Sequence, residues 1–182
     1  MKFLNKWKDW RILILSFLLI SITKFNLAQI SQDAQNHRDT LIVAAKEIIN
    51  SVRYCALITT DSVGEIHVRT MDPFSPEDNM VIWLGTNSNS RKVIDIKNNP
   101  NVTIYYNDPK GIGYVVINGK AQIIDDPKET TKRWKEEWTR FYPNREKDYI
   151  LIKVVPEKME VINYKLGIAG DPVTWLVPFV NF

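Results

Sequence analysis

Two adjacent cations, Arg91 and Lys92, follow a run of hydroxyl and amide residues in the stretch WLGTNSNSRKVIDIKNNP, Trp83 to Pro100. The apolar run MVIWL ends at Gly85-Thr86, and an apolar-periodic segment after the cations is stopped by Asn98-Asn99-Pro100. The pattern reads as a strand turning into a short helix, with Ser90 as its cap. The first N–H groups of such a helix are unpaired and carry partial positive charge. Together with the Thr86 and Ser90 hydroxyls, the Arg91 fork and the Lys92 ammonium, they suit a phosphate. The same residues also suit a solvated turn whose Ser90 merely caps a surface helix. A third cation, Arg69, stands among alternating apolar residues in IHVRTM. It either meets the same anion from an opposite wall or is an exposed strand charge.

Other chemistry has less support. The single cysteine, Cys55, excludes an intramolecular disulfide and reads as a small buried hydrophobe within YCALITT. His37 and His67 lie far apart with no Cys or carboxylate at ligand spacing, so no metal site is expected. No side chain stands out as a general acid or base, and the catalytic residues stay unassigned. Trp134, Trp138 and Phe141, at spacings of four and three, share one helical face. That face either packs over a barrel end or stacks on a planar ligand.

These residues need elements to hold them. A helix is expected over about 33–52 with Ser31 as cap and a stripe of Leu41, Ala45, Ile48 and Val52, with Ile42 and Ile49 beside it. Strands at 54–60 and 66–71 form a hairpin about the turn DSVGE, and 80–84 is a strand buried on both faces. A helix over 90–97 precedes strands at 102–106 and 114–124, the latter with Gly119 marking a bulge. Asp126-Pro127-Lys128-Glu129 is a helix start, with Asp126 as cap and Glu129 reaching back. The last strand spans 149–162 and is interrupted at Pro156. Six strands in antiparallel succession, with few helices between them, predict a mainly β (α+β) fold closed as a small barrel.

The 182 residues suffice for one domain, and 45% hydrophobic with 25% charged residues is ordinary for a globular protein. The net charge of +3 misleads, because Lys2, Lys6, Lys8, Arg11 and Lys24 against Asp9 place +4 in residues 1–28. The remainder has 19 cations against 20 acids, which removes support for a nucleic-acid partner. The basic segment MKFLNKWKDWR, the apolar ILILSFLLISI and the small Ala28 predict an export signal over 1–28, hence a periplasmic or secreted protein. The apolar run falls short of the roughly 20 residues of a membrane span, so membrane contact is expected only through an uncleaved signal.

In order, HVRTM, an acidic proline-containing loop, MVIWLGTNSNSRKVIDIKNNPNVTIYY and GYVVINGKAQIIDDP resemble the FMN-binding split barrel of the pyridoxamine 5'-phosphate oxidase family, in its general-stress-protein-like branch. The resemblance covers about 36–165. It implies a six-stranded antiparallel split barrel over 29–165, with 166–182 as a C-terminal strap. It further implies FMN as cofactor, with Arg69, Arg91 and Lys92 as the phosphate cations and Thr86 and Ser90 as hydroxyl donors near Gly85. Backbone groups of Thr70 and Met71 would face the ring edge. The family is usually a homodimer with the flavin at the interface, which makes Trp175, in DPVTWLVPFVNF, a candidate from the second chain. The same tail also reads as an apolar strap on the barrel.

The chain departs from the vitamin-converting members of that family. RTMDPFSPED lacks the cation they carry after the strand Arg, KLGIAGDPVTW replaces their Arg-Leu-His-Asp-Arg-like segment, and Tyr114 stands about where the family often has Gln. The resemblance therefore implies a flavin-dependent oxidoreductase of a small-molecule substrate or reductant, and not a vitamin B6 oxidase. A non-catalytic flavin- or haem-binding stress or storage protein, or an empty barrel, remains the alternative.

Overall fold

The computed structural model describes residues 29–182; the expected signal segment, 1–28, lies outside the described residues. The chain divides into units 1–40 and 41–182. In the first, residues 29–40 are helical, with Gln35 Nε2 donating to Asp39 Oδ1 at 2.7 Å. Helix α1 spans 29–51, so Ser31 lies inside it and is not its cap. Leu41, Ala45, Ile48 and Ile49 of the expected stripe are buried together with Ala44, whereas Ile42 and Val52 are only partly buried and Val52 lies past the helix end. No described helix is long and apolar enough to cross a membrane.

Residues 41–182 are organised by one seven-stranded sheet, ordered β2-β1-β4-β5-β6-β3 with β7 on β6. The strands are β1 (Cys55–Thr60), β2 (Ile66–Met71), β3 (Ile82–Asn87), β4 (Asn101–Asn107), β5 (Gly113–Ile124), β6 (Tyr149–Asn163) and β7 (Phe179–Asn181). Helix α2 is Arg91–Asn98, α3 is Pro127–Lys132 and α4 is Arg145–Asp148. Every pairing is antiparallel, and the sheet curls into a half-barrel. All six expected strands are present. The seventh comes from the tail, whose Val180 is buried on β6 while Val173, Trp175 and Leu176 stay exposed.

The apolar run before Gly85 is buried on both faces, for a definite reason. Ile82 and Leu84 point into the main core with Ile152 and Val154. Val81 and Trp83 point the other way, into a second cluster with Trp138, Tyr149 and Leu151. Alternation along a strand puts successive side chains on opposite faces, so a strand between two cores reads as an unbroken apolar run.

Two helix expectations change. Asp126 caps α3 through the N–H groups of Lys128 and Glu129, with Pro127 in the first turn, as its sequence requires. Glu129, however, pairs with Arg133 instead of reaching back. The helix also ends at Lys132, so Trp134, Trp138 and Phe141 do not share one helical face. Trp138 is buried, Trp134 partly so, and Phe141 is exposed. Tertiary partners override the local spacing: Arg133 lies over the Trp83 ring at 3.6 Å and bonds Glu77 at 2.8 Å.

Pro156 does not interrupt β6. It pairs with Gly119, and the register shifts between Asn118 and Gly119, leaving Glu157 as the extra residue of a bulge. A Cβ on Gly119 would meet the Val155 carbonyl oxygen at 2.2 Å. Gly119→Ala is therefore expected to destabilise the chain by about 1–3 kcal/mol, measured as a lower urea midpoint with unchanged slope.

Candidate functional site

β3 leaves the space between the two cores at Gly85 and Thr86, and the chain turns through Asn87–Ser90 into α2. The turn is built by Asn87, whose carbonyl accepts from Ser90 N at 3.0 Å and whose Oδ1 accepts from Asn89 N at 2.9 Å. Ser90 occupies the cap position with extended backbone, but its side chain makes no cap hydrogen bond. Its hydroxyl instead lies 3.1 Å from the Thr86 hydroxyl. Lys92 Nζ donates to the same Thr86 oxygen at 3.1 Å. The hydroxyl cluster is thus gathered around a buried threonine.

An open cavity of about 330 Å³ lies along this turn, lined by Thr70, Met71, Asp72, Gly85, Thr86, Asn87, Lys92, Trp138, Phe141 and Tyr142. Five residues assigned to the flavin site from sequence, Thr70, Met71, Gly85, Thr86 and Lys92, come together there, with Trp138 and Phe141 of the aromatic set. Ser90 joins through Thr86. Arg69 stands on β2 with its guanidinium bonded to Thr59 Oγ1 at 2.7 Å and to Asp95 Oδ2 at 3.3 Å. Arg91 opens α2 and is exposed, and its side chain makes no hydrogen bond or ion pair with the described residues. Trp175, 82% exposed, is not among the residues lining this cavity of its own chain. Tyr114 packs against Tyr105, with ring centroids 6.0 Å apart.

The charges are constrained by their surroundings. Burial lowers the Lys92 pKa, the neighbouring Arg69 lowers it further, and Asp95 opposes both. Burial alone would raise Asp72, but bonds from Lys135 at 2.6 Å, Arg53 at 3.1 Å and Trp138 Nε1 at 3.2 Å hold its carboxyl below the usual range. Burial pushes the Cys55 thiol up to about 12, so this thiol is a structural group.

Sequence reasoning missed Asp72 and Tyr142. Neither carries a motif: Asp72 follows Met71 at the end of β2, and Tyr142 is brought in where residues 134–149 pack against Trp83 of β3. The expectation of no metal-ligand spacing also overlooked the β1–β2 hairpin. There His67 Nε2 lies 3.4 Å from Asp61 and Nδ1 lies 4.0 Å from Glu65, a grouping of metal-type donors.

The sequence description of the pyridoxamine 5'-phosphate oxidase-like family matches residues 42–167. The chain belongs to that family. It is 29% identical over 110 residues to general stress protein 26 of Bacillus subtilis (strain 168), covering 58% of this chain and 77% of that protein. The crystal structure of general stress protein 26 from Bacillus anthracis str. Sterne superposes with a TM-score of 0.61 at 25% identity, over 76% of this chain and 96% of that one. A related protein from Clostridium acetobutylicum superposes with a TM-score of 0.65 at 16% identity, over 79% and 95%, and shares the fold. The family is generally flavin-binding, and the split barrel is its fold.

Gly85 decides how the aromatic wall meets this cavity. A Cβ there would lie 2.5 Å from Trp138 Cζ3 and 2.7 Å from Tyr149 Cε2. Gly85→Ala is expected to displace Trp138, seen as a red-shifted tryptophan emission together with a stability loss of about 1–3 kcal/mol.

Proposed function

We propose that the chain binds FMN, phosphate first, at the β3–α2 turn, and acts as a flavin-dependent oxidoreductase on a small molecule. The observation that carries this reading is the convergence of Lys92, Thr86 and Ser90 at one end of a cavity whose other wall is Thr70 and Met71. Arg69 and the exposed Arg91 lie on the flanking elements β2 and α2. Bound FMN would supply the redox chemistry of its ring. The chain's own residues would hold the phosphate, fit the ring against the β2 backbone, and exclude water with Trp138, Phe141 and Tyr142.

The same geometry argues against a vitamin B6 phosphate as substrate. The first side chain past Met71 is the Asp72 carboxylate, and the nearby cations Lys135 and Arg53 are both bonded to it. A second phosphate would meet no free charge there.

A cavity of about 330 Å³ is at the small end for a cofactor site and is widely open. We infer that a second copy closes it, with the exposed Val173, Trp175 and Leu176 as the apolar surface it would cover. The N-terminal basic and apolar run supports export of this protein. One observation favours a non-catalytic flavin carrier: the cavity lining offers no histidine, and its one carboxylate is already bonded by two cations.

The 182-residue chain, loaded with FMN and desalted, is expected to show a flavin spectrum at about one FMN per chain in a dimer by mass. Arg69→Ala with Arg91→Ala should weaken FMN more than tenfold; an unchanged affinity would sink the phosphate assignment. Consumption of NADH with a quinone acceptor separates an enzyme from a carrier.

The pH dependence has a definite sign. Lys92 must be charged to hold a phosphate, and its pKa lies below the ordinary 10.5. FMN affinity should therefore fall as pH rises through that lowered pKa, earlier than an exposed lysine would allow. Lys92→Arg should move the fall to higher pH in a fluorescence titration.

A further inference from the structure

Asp95 is a charged residue only 2% exposed, on the buried face of α2 between Val93 and Ile96. Its Oδ2 accepts from Thr59 Oγ1 at 2.7 Å and from Arg69 Nη2 at 3.3 Å. Arg69 Nη1 in turn donates to Thr59 Oγ1 at 2.7 Å. A residue of β1, one of β2 and one of α2 thus close a ring of hydrogen bonds. Only charge or hydrogen bonding accounts for a carboxylate here, because its helical neighbours on that face are apolar and burying an anion is costly.

We propose that Asp95 is the positioning residue of the anion site: it fixes the Arg69 guanidinium beside Lys92 and so sets the site's preference for a phosphate monoester. This rests on the phosphate reading of the β3–α2 turn. Arginine is long and rotamer-rich, and an untethered Arg69 would pay the entropy of ordering each time an anion bound. The ring pays that cost during folding. It also trims the charge: Arg69, Arg91 and Lys92 less Asp95 leave a formal +2, the complement of a monoester dianion. The depressed Lys92 pKa, with Arg69 lowering it and Asp95 raising it, agrees with these groups sharing one field.

Positioning and simple electrostatics predict opposite outcomes for Asp95→Asn. Removing a negative charge beside a dianion strengthens binding if charge alone matters. If Asp95 positions Arg69, binding weakens. Full-length wild type and Asp95→Asn are titrated with FMN and with riboflavin, which lacks the phosphate, by flavin fluorescence. The expected result is a rise in the FMN Kd of about tenfold or more with the riboflavin Kd unchanged. Tighter or unchanged FMN binding, or equal loss for both ligands, overturns the proposal.

Thr59→Val removes the bridging hydroxyl at nearly constant volume and gives the same comparison should Asp95→Asn fail to fold. The Arg69 Nη–H resonances, assigned through Arg69→Lys and recorded without ligand, separate the two readings. A wild type that prefers FMN no more than riboflavin sinks the phosphate reading. An Arg69 resonance equally protected from exchange in both variants and wild type sinks the positioning role, whatever the ligand.

Discussion

A strand buried on both faces is the constraint on which the rest depends. β3 has Ile82 and Leu84 in the barrel core, and Trp83 with the preceding Val81 against a separate aromatic cluster. Neither face can meet water without exposing a large apolar area, so the strand is fixed in register with β6 along its length, Ile82 to Val154 through Asn87 to Tyr149. The cavity lies where that double burial ends. Gly85 lets Trp138 and Tyr149 close against the backbone, and Thr86 is the first polar side chain beyond it. The site inherits the rigidity of the strand that delivers it, as a binding loop on a fixed scaffold should.

Two carboxylates govern the charge around that cavity. Asp72, at the end of β2, gathers Lys135, Arg53 and the Trp138 indole, which ties residues 135–138 to the barrel rim. Asp95, on α2, gathers Arg69 and Thr59. The division leaves the cations unequal. Lys135 and Arg53 are engaged by Asp72, whereas Lys92 donates to a hydroxyl and Arg91 stands free of described partners. An incoming anion therefore meets positive charge at the turn into α2 and not at the aromatic end.

Much of the fold was legible in the sequence because it rests on short-range chemistry. Apolar alternation in IHVRTM and NVTIYYN, the turn residues of DSVGE and the Asp126-Pro127 helix start are local signals, and each produced the expected element. Where local signals failed, a distant partner had intervened. The Ser90 hydroxyl pairs with that of Thr86 and makes no bond to the helix end. The helix-like spacing of Trp134, Trp138 and Phe141 broke because Arg133 is held by Glu77 and Trp83. Pro156 passes through β6 because a bulge opposite Gly119 accommodates a residue without an N–H.

By itself, then, the sequence determined the strand order along the chain, the family, and the grouping of Thr86, Ser90 and Lys92, since these follow from hydrophobic period and contiguous residue types. Only the tertiary structure decided that Arg69 is held by Asp95, that Asp72 and Tyr142 line the cavity, and that Trp175 lies exposed outside it. The physical reason is separation along the chain. Arg69 and Asp95 are 26 positions apart and Asp72 and Trp138 are 66 apart. A charge pair at such distances leaves no periodic trace, and its partner is chosen by sheet register and by which groups burial forces to find one.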